Sequence, residues 1–192
     1  MNTKTDTKKP ADYSVAAQAT IHTRSLVITA LFAAILCVSA YISIPLPAGS
    51  HIAFLNFIVL LIVLVFPLRQ SFCITLTWLL LGIVGVPVFI GGNAGISYIA
   101  SGWGGYSIAF VMSSILVPLL RGRGYNRIYY TVIAMGAALF IDIFGAGWLM
   151  ALTGLSIKQA IITGFLPFLP LDILKAIVAA QIVPQFRRIA EL

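Results

Sequence analysis

Charge is what this chain has least of. Only 9% of its 192 residues are charged, and five of them are carboxylates. Soluble domains carry roughly 25% charged residues. With 60% hydrophobic residues and a mean hydropathy of +1.05, too little polar surface remains to face water. The chain is therefore expected to be an integral membrane protein. Cysteine is scarce too: Cys37 and Cys73 lie in apolar segments outside any CxxC pattern. Buried small hydrophobes are expected there, not a disulfide framework or a metal site. The two histidines, His22 and His51, are isolated and make no metal-ligand spacing. There is no GxxxxGK[ST] and no nucleophile paired with a base. A chain of this kind does not drive ATP-dependent transport by itself, and an enzyme is disfavoured. Its net charge of +7 does not point to nucleic acid, because the basic residues gather in short loops and at the termini.

What the chain has is long apolar runs. A membrane-spanning helix needs roughly 20 mostly apolar residues. Six candidates follow: 25–44, 52–66, 72–86, 106–120, 128–149 and 167–183. Breakers separate them, among them Pro45-Leu46-Pro47-Ala48-Gly49, Pro67, Pro87, and Gly122 with Gly124. Residues 1–24 are polar, too long and too polar for a signal-peptide n-region, and no small-x-small cleavage site follows the first apolar run. The expected organisation is an N-terminal segment 1–24, a six-helix transmembrane domain 25–186 and a short tail 187–192. One set of loops collects Lys4, Lys8, Lys9 and Arg24, then Arg69, then Arg121, Arg123 and Arg127, then Arg187 and Arg188; the other holds Lys158. The positive-inside rule then puts both termini in the cytoplasm.

Two features carry candidate chemistry. The outer stretch from Gly85 to Tyr106 places seven glycines before Tyr106 among aromatic and small polar residues. Glycine lets a backbone approach a ligand closely, and Asn93 both donates and accepts. A cradle for a small, flat, amide-like ligand is one account; a flexible interhelical loop is the other. The last apolar segment holds Asp172 and Lys175, three apart and so on one helix face. An ionisable pair in lipid is costly and faces the bundle interior, a cavity or another charge. A ligand site is one account; a structural ion pair, with Lys175 snorkelling, is the other. Pro167 and Pro170 predict a helix start near Leu169, which puts Asp172 in the first turn, favoured by the helix dipole. Asp142 is the second intramembrane carboxylate, fit for a proton relay or for a hydrogen bond within the bundle. Asn56 reads as a polar helix contact. Ala30 and Ala34 form a small-xxx-small pattern that admits a close neighbour helix, within the chain or from a partner.

Together these pieces resemble the BioY family, the biotin-binding substrate-specificity (S) components of energy-coupling factor (ECF) transporters. The resemblance rests on Pro87-Val88-Phe89, Gly104-Gly105-Tyr106 and Pro170-x-Asp172-x-x-Lys175, and covers nearly the whole chain. The pattern departs at Ser101-Gly102-Trp103. The resemblance implies an all-α membrane protein, a six-helix S-component bundle in the prokaryotic cell membrane, with no cofactor and biotin as transported ligand. It implies a site built from Phe89, Gly91, Gly92, Asn93, Tyr98, Trp103, Tyr106, Asp172 and Lys175. It further implies that Ala30 and Ala34 dock on a transmembrane coupling subunit, with two ATPase subunits supplying energy. The rival expectation is a stand-alone, proton-coupled small-solute transporter working through Asp142 or Asp172.

Overall fold

The computed structural model describes residues 10–45, 51–122 and 124–191, with side chains between 23 and 187. Lys4, Lys8, Lys9, Pro47 to Gly49, Arg123 and the side chains of His22 and Arg188 fall outside the described residues.

Six long helices form: α1 (Pro10–Ser39), α2 (Leu55–Val65), α3 (Leu68–Val84), α5 (Gly104–Leu120), α6 (Arg127–Thr153) and α8 (Leu169–Glu191). Short helices α4 (Ile96–Ile99) and α7 (Ile157–Ala160) lie in the connections. The boundaries follow local chemistry. Pro67, in extended backbone, precedes α3, and Gly85 ends it with φ 114°. The Asn126 side chain accepts from the amides of Ile128 and Tyr129 and starts α6. Ser156 and Gln159 form a capping box on α7, which runs into a π-helical turn, Ile161–Phe165.

Three expectations about length need correction. The first apolar run does not stay helical to Ile44. Its helix ends at Ser39, and Ser43–Pro45 (β1) pairs antiparallel with His51–Ala53 (β2). Ile44 faces Ile52 across this hairpin. The run is apolar throughout, so hydropathy alone cannot separate strand from helix there. At its other end α1 extends back to Pro10, well into the polar segment. α8 passes through Pro184 as far as Glu191, beyond the expected stop at 183.

α2 is the hub of the bundle. All of its residues except Phe57 are buried, as a helix apolar on every side requires. α1, α3, α5, α6 and α8 surround it. At 11 residues it is roughly 16 Å long. Its C-terminal end is buried, and Arg121 serves the carbonyls there: Nη1 donates to the Leu64 carbonyl and Nη2 to that of Phe66 at 2.7 Å. Arg121 follows α5, in the loop where the sequence places it, yet it is only 6% exposed. α6 and α8 pack together and carry the buried alanines Ala134, Ala137, Ala138, Ala176, Ala179 and Ala180, which permit close backbone approach. Large apolar side chains such as Val84, Leu119, Ile128 and Leu174 point outward, as lipid contact allows.

Candidate functional site

The stretch from Pro87 to Gly105 is an ordered structure fastened at several points. Trp78 Nε1 donates to the Val88 carbonyl at 2.8 Å, and the Gly95 amide donates to the Gly82 carbonyl at 2.7 Å. At the far end Trp148 Nε1 donates to the Ser101 carbonyl at 3.1 Å. A 3₁₀ turn, Ile90–Gly92, has φ near +75° at both Gly91 and Gly92, a backbone that side chains disfavour. The Phe89 ring lies where a side chain at Gly82 would be: a Cβ there would come within 2.1 Å of it.

Below this stretch is a cavity, open at its mouth, with about 50 Å³ of water-accessible space. Its walls are aromatic, with Tyr98, Trp103, Tyr106 and Phe168. Trp103 and Tyr106 stack with centroids 6.0 Å apart, and Phe168 meets Tyr106 edge-on at 5.8 Å. The Tyr106 hydroxyl donates to the Gly164 carbonyl in the π-helical turn, and its ring rests against Gly145 of α6. Burial raises the Tyr98 phenol above its ordinary value, so its hydroxyl stays neutral.

Four polar side chains reach the same cavity: His51 from the hairpin, Asn56 from α2, Asn93 from the loop and Asp142 from α6. Asn93 Nδ2 donates to the Ile90 carbonyl at 2.7 Å, which holds the side chain in place. His51 Nδ1, Asn56 Oδ1 and both Asp142 oxygens are buried without a hydrogen-bond partner. Buried polar atoms are normally paired, so such a cluster calls for an explanation.

Asp172 lies just behind this cluster, in the first turn of α8 as its prolines predict. Its Oδ2 accepts from Asn56 Nδ2 at 2.7 Å, and its Oδ1 from Lys175 Nζ at 2.8 Å. Lys175 also donates to the Ala53 carbonyl at 2.8 Å.

The structure thus gathers Asn93, Tyr98, Trp103 and Tyr106 around one cavity. Asp172 and Lys175 are not among its lining residues; they contact it through Asn56. Phe89, 0% exposed, stacks beneath Tyr98 at 4.9 Å, and Gly91 and Gly92 shape the turn above. His51, Asn56 and Asp142 were not grouped from the sequence. They stand alone in it, and the only signal was that a polar group within apolar helices needs a reason.

The BioY family model matches residues 8–191. The chain belongs to the BioY family. Among its BioY relatives, a probable biotin transporter from Pyrococcus horikoshii is 35% identical, over 83% of this chain and 94% of that one. The biotin transporter BioY2 from Lactococcus lactis subsp. cremoris is 33% identical, over 80% of this chain and 84% of its own. The crystal structure of the S-component for biotin from an ECF-type ABC transporter superposes with a TM-score of 0.76. It covers 87% of this chain and 92% of that one at 22% identity, so the BioY chain here shares its fold.

The Asp172–Lys175 pair yields a stability prediction. Lys175→Met leaves Asp172 without its cation and should cost about 3–5 kcal/mol. Adding Asp172→Asn removes the stranded charge and still lets an amide oxygen accept from Asn56. Thermal unfolding in detergent should show the double variant recovering most of the loss. Equal melting of single and double variants would mean that charge pairing is not what holds this corner.

Proposed function

We propose that this chain is the biotin-binding specificity subunit of an ECF-type uptake transporter. The observation that carries the proposal is the cavity, where aromatic walls enclose buried, unpartnered polar atoms. Biotin matches that chemistry. Its bicyclic ring is apolar on its faces, and its ureido edge presents two N–H donors and one carbonyl. Tyr98, Trp103 and Tyr106 pack the rings, and Asn93 pairs with either kind of ureido group. Asp172 and Lys175 complete the polar end of the site beside Asn56, with Asp172 accepting from a ureido N–H, and Phe89, Gly91 and Gly92 give the loop its shape. The names of the BioY relatives, biotin transporters, support the same ligand.

Energy comes from outside the chain, which carries no phosphate-binding loop. A membrane coupling subunit and two ATPase subunits fill that role. Calorimetry of the purified chain against biotin, thiamine and riboflavin should show binding to biotin alone. Liposomes holding the chain under a proton gradient, without ATPase subunits, should accumulate no biotin. Robust accumulation there would favour proton-coupled transport instead.

Sidedness follows the loop charges. Both termini face the cytoplasm, the cavity opens outward, and lipid surrounds the bundle. In a background without Cys37 and Cys73, Lys158→Cys should react with an impermeant maleimide added outside. Gly124→Cys should react only after the membrane is opened. Reaction of both in intact cells would defeat the six-span orientation.

Ala30 and Ala34 both lie on the exposed side of α1, beside Leu31, which is 55% exposed. Small side chains there leave room for a partner helix. Tryptophan at both positions should abolish copurification with the coupling subunit and uptake in cells while biotin binding persists. Normal uptake would make these two alanines ordinary lipid-facing positions.

A further inference from the structure

We propose that His51 receives the free carboxylate of the ligand, its imidazole donating an N–H to the acid group of biotin's side chain near the mouth of the cavity. The proposal rests on the biotin reading above and gives a partner to the ligand's one charge.

The distribution of charge decides which way an anion can lie in the site. Asn56, Asp142 and Asp172 are buried, whereas His51 is half-buried and Asn93 exposed, so the carboxyl groups mark the inner end and His51 lies toward the mouth. At the inner end Asp142 and Asp172 lie close enough to feel each other's charge. The cation there, Lys175, already donates to Asp172 and to the Ala53 carbonyl. A ligand carboxylate brought to that end would add acceptors to acceptors, whereas the ureido N–H groups find acceptors there. The acid must point the other way. The glycine-rich stretch cannot meet its charge, because residues 85–106 hold no charged side chain. Among the described residues that line the cavity, only His51 can carry positive charge.

His51 also stands where the far end of the ligand would be. It opens β2, and residues two apart on a strand share a face, so His51 and Ala53 look the same way. Ala53 is the residue whose carbonyl Lys175 holds, and His51 lies two residues, about 7 Å, along the strand from it. The imidazole rests on the 3₁₀ turn: a Cβ at Gly91 would come within 3.0 Å of its Cε1. Its Nδ1 is buried and has no partner. Buried polar atoms are normally paired, and a carboxylate oxygen supplies what this one lacks. Imidazole can carry its N–H on either nitrogen when neutral and carries it on both when protonated, so Nδ1 can donate in both states. The Asn93 amide, also at the cavity, is neutral and already donates to the Ile90 carbonyl.

The alternative is that His51 is only a prop beneath the turn at Gly91. Calorimetry at pH 7 with biotin and with biotinamide, whose side chain ends in a neutral amide, separates the two. The unsubstituted chain should bind biotin about tenfold or more tightly than biotinamide, since a hydrogen bond to a charged group is worth more than one to a neutral group. His51→Ala should weaken biotin by about tenfold or more and leave biotinamide nearly unchanged, so that the preference collapses. A prop would weaken both ligands alike, and that result overturns the assignment. So does a folded His51→Ala variant that keeps the preference. Equal affinity of the unsubstituted chain for the two ligands overturns it too, and this measurement stands even where the variant does not fold. If the unsubstituted chain binds neither ligand, the biotin reading itself fails.

Discussion

A carboxylate held to 2% exposure within an apolar bundle survives there only if its charge is met, and at Asp172 the partners come from well-separated parts of the chain. Lys175 is one turn further along α8, Asn56 is on α2, and through Lys175 the carboxylate reaches the Ala53 carbonyl at the end of the hairpin. The sequence separations are 116 residues for Asn56 and 122 for the Lys175 bond to Ala53. One ion pair therefore joins the last helix to the central one and to the strand that leads into it. It also sets which end of the Asn56 amide looks into the cavity. The polarity of the site is in this sense decided one layer behind its surface.

The glycine-rich stretch is rigid for reasons its composition conceals. Glycines at 82 and 145 are not hinges. They let the rings of Phe89 and Tyr106 lie directly on helix backbone, where a methyl group would come within 2.1 and 2.2 Å of them. Phe89 then supports Tyr98, and Tyr106 supports Trp103 and Phe168. The aromatic walls are thus seated on α3 and α6, with indole hydrogen bonds pinning both ends of the loop. A pre-formed wall loses little freedom when a ring slides against it, which favours tight binding of a flat ligand.

Much of this was legible in the sequence, and the gaps have physical causes. The six helices followed from apolar length and from breakers such as Pro67 and Gly85, because lipid leaves the backbone few alternatives. The start of α8 and the place of Asp172 followed from two prolines. The hairpin was hidden because Ile42 to Ile44 and Ile52 to Ala53 are as apolar as the helices beside them. The cavity's polar group was hidden for a different reason. His51, Asn56 and Asp142 have no common spacing, and only the folding of the hairpin, α2 and α6 around one cavity brings them together. Arg121 does mark the loop after α5, as a basic residue after an apolar run ordinarily does, but its burial left no trace in the sequence. Here it reaches back across the α2–α5 contact.

That guanidinium also says something about how the bundle comes to exist. α2 is about half the roughly 30 Å of a bilayer's hydrocarbon core. The group that completes its end lies 57 residues further along the chain. During synthesis α2 is therefore made before the donor of its last carbonyls exists. α3, the glycine-rich stretch and α5 all follow before position 121 appears. Until then the segment is too short to stand alone and too apolar to remain in water. The short helix is thus completed by a side chain at the end of α5.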